Sequence, residues 1–114
     1  PTMKPDLMLQ EKPTGQLIVL DTKFTAKSLV DNRWGKAMFN SSHLYQLYTY
    51  LSTQEHLSTS HERAAGILLY PAVRKELSEV VELPRHKMRI ECVNLAAPWL
   101  QIEQRLLDIL LEPA

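Results

Sequence analysis

Asp6, Asp21 and Lys23 are the residues of this chain whose types and spacing suit chemistry best. Asp21 and Lys23 lie two apart at the end of the apolar run "LIVLDTKF", and Asp6 lies in the upstream stretch "PDLMLQ". Two carboxylates brought together attract a hard divalent cation, which neutralises them and takes oxygen ligands. Mg²⁺, with Mn²⁺ as a substitute, suits such a place because it keeps several waters and needs only one or two protein carboxylates. A bound cation of this kind lowers the pKa of its water and supports negative charge on a phosphodiester. An ammonium beside it orients the attacking water or stabilises charge developing on the phosphate. The same residues would also serve as a strand-end ion pair, which is worth little at a surface.

For that chemistry the chain must fold Asp6 onto Asp21. Two apolar runs, residues 7–10 and 16–22, flank Lys12-Pro13-Thr14-Gly15, a tight-turn composition, and predict a β-hairpin. Centring the turn between Pro13 and Thr14 pairs residues whose numbers sum to 27, so Asp6 opposes Asp21. Opposed side chains have Cβ atoms roughly 4.5–5.5 Å apart, and like charges there repel. Side chains on a strand repeat every two residues, so Lys23 shares the face of Asp21. Leu17 and Val19 point one way, Ile18 and Leu20 the other. A strand apolar on both faces belongs inside a sheet covered on both sides.

Residues 25–40, with Asn32, Gly35 and Asn40, read as a loop crossing over the sheet. "SSHLYQLYTYLSTQE" reads as a helix with Asn40, Ser41 or Ser42 as N-cap and Leu44, Leu47, Tyr48 and Leu51 as its buried face. Away from that face, Gln46 and Tyr50 stand one turn apart, with His43 near the same line. They offer an amide and a phenol to a phosphate or a water, or simply decorate an amphipathic helix. Residues 67–70, closed by Pro71, read as a strand. "ELSEVVEL" and "KMRIECVNL", joined through "PRH", read as an antiparallel pair. In "APWLQIEQRLLDILLEP", Pro98 suits the first helical turn, and Trp99, Ile102, Leu106 and Leu110 make one apolar stripe. The order is β-β-α-β-β-β-α, one mixed α/β domain over residues 1–114.

Composition sets the bounds. The 114 residues are 45% hydrophobic, enough for one core. Thirteen basic residues balance thirteen acidic ones, so no global field announces a polyanion partner and any such site must be local. Lys27, Arg33 and Lys36 in the crossover loop, and Arg85, Lys87 and Arg89 near the second hairpin, are the local cations available to phosphates. No run reaches the roughly 18 apolar residues of a membrane span. The single cysteine, Cys92, cannot form an internal disulfide and reads as a buried packing residue in a reducing compartment. His43, His56, His61 and His86 lack zinc-ligand spacing.

"PD" and "LDTK" ahead of a helical "YQLYTY" resemble the PD-(D/E)xK nuclease superfamily, and Gln46-x-x-x-Tyr50 resembles the pair carried by its RecB-like exonuclease branch. More closely, "LDTKF", "SSHLYQLYTYL", "GILLYP" and "VNLAAPWLQIEQRLLDIL", in that order, resemble the C-terminal nuclease region of the McrC family. These are the cleavage subunits of McrBC 5-methylcytosine restriction systems. The resemblance implies a restriction-endonuclease-like core, a mixed sheet flanked by helices. It implies Asp6 and Asp21 as metal carboxylates, the Thr22 carbonyl as a further metal ligand, Lys23 as the catalytic lysine, and Gln46 with Tyr50 as the helix pair.

The implied activity is Mg²⁺-dependent cleavage of DNA in the cytoplasm, with a McrB-like AAA+ GTPase as partner and GTP hydrolysed by that partner. No Walker-type glycine loop is present here, and the chain has only three glycines. McrC proteins also carry a large N-terminal portion that engages McrB, and their nuclease core opens with a helix. Five residues before Asp6 hold neither, so this chain is expected to be a piece of a longer one. Two other functions compatible with the residues are a RecB-like repair nuclease and a non-catalytic module binding a partner or DNA. An iron–sulfur version of the former is excluded, since such clusters take about four thiolates.

Overall fold

The stretch after the first turn folds as expected into a strand buried on both faces, β2 (Leu17–Thr22), paired antiparallel with β1 (Leu7–Gln10). The computed structural model describes residues 4–23, 41–72 and 78–111. The expected crossover loop, with Lys27, Arg33 and Lys36, lies outside them. Leu7 faces Leu20 and Met8 faces Val19, the register that the turn composition predicts. Gly15 closes the turn at φ 72°, where a side chain would be strained.

Helix α1 (Ser41–Thr53) follows, then a 3₁₀ turn (Glu55–Leu57) and the short helix α2 (Thr59–Glu62). Beyond them, β3 (Ala65–Ala72) pairs parallel with β2. β4 (Ser78–Leu83) and β5 (His86–Asn94) form the second hairpin, and β5 pairs parallel with β3. Among the described residues the sheet has five strands in the order β1-β2-β3-β5-β4. Its parallel centre is flanked by one antiparallel strand at each edge.

Each face of the sheet has its own core. Leu17, Val19, Leu68, Tyr70, Met88 and Ile90 meet Leu44, Leu47 and Leu51 of α1. Gly66 permits this approach, because a Cβ there would stand 2.8 Å from the Met88 methyl and 3.0 Å from Leu47. On the other face Ile18, Leu20, Ile67, Leu69 and Val93 meet α3 (Trp99–Leu111).

Three local expectations need correction. Pro71 does not stop β3, which continues to Ala72. The β2 ladder ends at the Thr22–Leu69 pair, and the Leu69 carbonyl faces β2. Pro71, two residues on, therefore turns its missing N–H toward the side where β2 has ended, the position a sheet tolerates. Trp99 is 68% exposed, whereas Ile109 is 1% exposed and anchors α3, with Ile102, Leu106 and Leu110 packed around it. Arg89 is buried in an ion-pair network rather than free for phosphates. Cys92 is buried, as expected.

Candidate active site

β1 begins at Leu7, opposite Leu20, so the last residues of β2 outrun their partner strand. The Asp6 side chain takes over where the backbone ladder stops. Its Oδ2 accepts from the Thr22 amide and from the Thr22 hydroxyl, each at 2.7 Å. In an antiparallel ladder a residue's N–H and C=O face the same neighbour, so the Thr22 carbonyl leaves the strand on the side of Asp6. Continuing the register by one residue sets Asp6 opposite Asp21. Asp21, two residues beyond Val19, lies on the face that α1 covers.

The two carboxyls sit in different electrostatic surroundings. Hydrogen bonds from the Thr22 hydroxyl and amide hold Asp6 below the usual carboxylate range. Burial pushes Asp21 up, against the pull of Lys23, and the neighbouring Asp6 adds to the rise. Asp21 is 5% exposed. Lys23 Nζ lies 2.8 Å from Asp21 Oδ2, and the Lys23 amide extends the parallel ladder by donating to the Leu69 carbonyl.

Helix α1 brings its first turn over this end of the sheet. His43 Nδ1 stands 2.8 Å from the Tyr70 hydroxyl, and the two rings stack with centroids 5.9 Å apart. Burial, and then the Lys23 charge, push the His43 pKa down, while Asp21 opposes that shift. His43 is thus the α1 side chain that senses the Asp21–Lys23 pair. Gln46, one turn later, is exposed, and Tyr50 is half-buried against the α1-side core. Among the described residues neither makes a hydrogen bond to Asp6, Asp21 or Lys23.

In the sequence His43 stands near the Gln46–Tyr50 line with no role marked for it, and Tyr70 reads only as a strand residue. The face alternation of β3 carried the missed signal. Tyr70 lies two residues after Leu68, the partner of Asp21, and so points to the same side.

The donor set is that of a hard cation with few protein ligands. Asp6 and Asp21 each engage a neighbour through Oδ2 and have a second oxygen to offer, with the Thr22 carbonyl alongside. Among the described residues no group of three or more His, Cys, Asp or Glu side chains gathers for a metal. Two carboxylates and a carbonyl nevertheless fit Mg²⁺, which binds through one or two carboxylates and retains water. Zinc-type nitrogen and sulfur ligation finds no support in these groups.

A five-stranded mixed sheet with helices on both faces is a restriction-endonuclease-like architecture. A family model described as "McrBC 5-methylcytosine restriction system component" matches residues 1–71, and the chain belongs to that family. It is 30% identical over 109 residues to the "Type IV methyl-directed restriction enzyme EcoKMcrBC" of Escherichia coli (strain K12). That alignment takes in 96% of this chain and 30% of the relative's length. No helix among the described residues is long and apolar enough to cross a membrane.

Proposed function

We propose that this chain is the DNA-cleaving part of a McrBC-type restriction subunit, hydrolysing phosphodiester bonds with the help of Mg²⁺. The observation that carries the reading is the strand-end arrangement itself. Asp6 is tied to Thr22 opposite Asp21, and Lys23 is tied to Asp21. Asp6, Asp21 and the Thr22 carbonyl would hold the ion. When bound, it supplies an acidified water and a positive charge for the phosphate oxygens.

Lys23, its ammonium already turned into the site, orients the attacking water or holds charge developing on the phosphate. His43 lies over the same end of the sheet, with Gln46 one turn along the helix, exposed and able to reach a DNA backbone oxygen. Tyr50, four residues further, is half-buried and steadies that flank of α1. Methylated DNA as substrate and an McrB-like GTPase as partner belong to the same reading, drawn from the family.

Cleavage of methylated DNA by the full-length protein, supplied with its McrB partner, GTP and Mg²⁺, tests it. Asp21→Asn is expected to abolish cutting while DNA still binds. Lys23→Ala is expected to lower turnover by a factor on the order of 10²–10³, the usual effect of removing one group that stabilises transition-state charge. Unchanged cutting by both variants would sink the reading.

A further inference from the structure

At the opposite end of the sheet from the carboxylates, a cleft of about 280 Å³ opens between the start of β2, the start of β3 and the β4–β5 turn. Arg63, Arg85 and Lys87 line it, with Glu82 as the one acidic lining residue. A second cleft of about 140 Å³ shares Gln16 and Arg63 with it and adds the hydroxyls of Thr14, Thr59 and Ser60. Guanidinium, ammonium and hydroxyl donors are the groups proteins use against phosphate oxygens.

The platform beneath them is fixed. Gln16 Nε2 donates to the Arg63 carbonyl at 2.9 Å and to the Leu17 carbonyl at 3.0 Å, tying the end of α2 to β2. Arg85 is held at 2.7 Å from Glu55. Among the described residues, neither the Arg63 guanidinium nor the Lys87 ammonium has a carboxylate partner. Arg85 also carries a positive φ of 68° in the two-residue turn, where glycine is favoured. That turn and the Glu55 pair together hold the Arg85 side chain at the rim of the cleft.

We propose that Arg63 and Lys87, with Arg85 beside them, form a second phosphate-binding site that grips the DNA backbone away from the carboxylate pair. The assignment of DNA as the ligand rests on the nuclease reading above. Asp21 lies five residues after Gln16, a span of about 17 Å at the rise of an extended strand. At roughly 3.4 Å per base pair, that is about five base pairs of duplex. One duplex running parallel to β2 over the outside of the molecule would therefore meet both ends of the sheet, and the basic end would set how the scissile phosphate is presented.

The test is binding of a short labelled duplex to the full-length protein in EDTA, followed by fluorescence anisotropy over a series of salt concentrations. Arg63→Ala with Lys87→Ala is expected to weaken binding about tenfold at moderate salt and to lower the slope of log K against log salt by about 2, one for each lost phosphate contact. Arg63→Lys in the otherwise native chain should retain most of the slope. A double variant with the native melting curve, affinity and slope overturns the site. So does a wild-type protein that does not bind DNA.

Lost retention of inorganic phosphate with unchanged DNA binding overturns it too, because the site then serves a small anion. Measuring without divalent ions separates this site from the carboxylates. A protein that binds DNA through Arg63 and Lys87 but never cuts it defeats the nuclease reading and keeps this one. Normal cutting with an unchanged slope does the reverse.

Discussion

Asp6 and Thr22 are joined twice, by an amide and by a hydroxyl that both donate at 2.7 Å to one carboxylate oxygen. A side chain here finishes what the β1 backbone leaves undone, and in doing so holds one carboxylate opposite another. Thr22→Val keeps the β-branched shape and removes only the hydroxyl. It should cost about 0.5–1 kcal/mol, the lower range for a hydrogen bond at an exposed strand end. The sign in pH follows from the Asp6 shift, whose first cause is that hydroxyl. A carboxyl lowered in the folded state stabilises above its unfolded value and loses that contribution as pH falls through the folded value. The wild-type and Thr22→Val melting curves should therefore separate at neutral pH and converge in acid. A gap independent of pH would mean the hydroxyl acts through packing alone.

Asp21 carries the opposite shift, with burial as its first cause, so its charged form is the disfavoured one in the folded protein. Its folded value lies above its unfolded one. The cost is then present at neutral pH and disappears as pH falls through the window between them. Asp21→Asn removes the charge and keeps the shape. Although it also removes the Lys23 partner, the net upward shift says burial outweighs that pair. Stability without divalent ions should be unchanged or raised by up to about 1 kcal/mol. Mg²⁺ should raise the wild-type midpoint by mass action and leave that of Asp21→Asn where it is. Wild-type melting indifferent to Mg²⁺ and Mn²⁺, with Asp21→Asn destabilising, would defeat the metal site.

The hairpin register was legible in the sequence because Lys12-Pro13-Thr14-Gly15 marks the turn and period-two alternation does the rest. The buried leucines of α1 were legible for the same kind of reason, a clean helical period. Periodicity could not say which side of α3 would win. Trp99 and Ile109 both fit an apolar stripe, and only the position of the sheet decides that Ile109 is covered. Pairings across distant segments, such as His43 with Tyr70 or Glu55 with His86, leave no local pattern at all. Arg89 shows the same limit, since exposed and buried arginines read alike in sequence.

Glu91, fully buried, faces Arg89 at 3.4 Å and Arg105 at 3.0 Å and accepts from Ser78 at 2.9 Å. Arg89 also donates to the Ile109 carbonyl, so this cluster fastens α3 to the sheet. Glu91→Gln removes a negative charge that both guanidinium groups face. Breaking a buried pair from one side costs about 3–5 kcal/mol, and denaturant unfolding should show a loss of that order. Arg89→Met combined with Glu91→Met should recover most of it, since Arg105 keeps its hydrogen bonds to the Cys92 carbonyl. A double variant as unstable as Glu91→Gln would show that geometry rather than charge sets the cost.

His86 is closed off from solvent, with Nδ1 at 2.7 Å from the Ala64 carbonyl and Nε2 at 2.6 Å from Glu55 Oε2. Glu55 also meets Arg85 through its other oxygen at 2.7 Å. The carboxylate is held below its usual range first by His86 and then by Arg85. Its stabilising contribution is therefore complete above the unfolded carboxylate value and is lost as pH falls through the lowered folded value. Glu55→Gln leaves an amide that accepts from Arg85 and meets His86 less strongly than a carboxylate does. Its melting midpoint should lie below that of wild type at neutral pH, and the gap should narrow steadily in acid. Tyr48, whose ring meets His86 edge-on and whose hydroxyl donates to the Pro84 carbonyl, fixes the ring on its remaining side. Tyr48→Phe tests that role separately, because it loses one hydrogen bond and should shift the midpoint equally at every pH. A Glu55→Gln gap that stays constant from neutral to acid would show that the pair holds the turn by shape, not by charge.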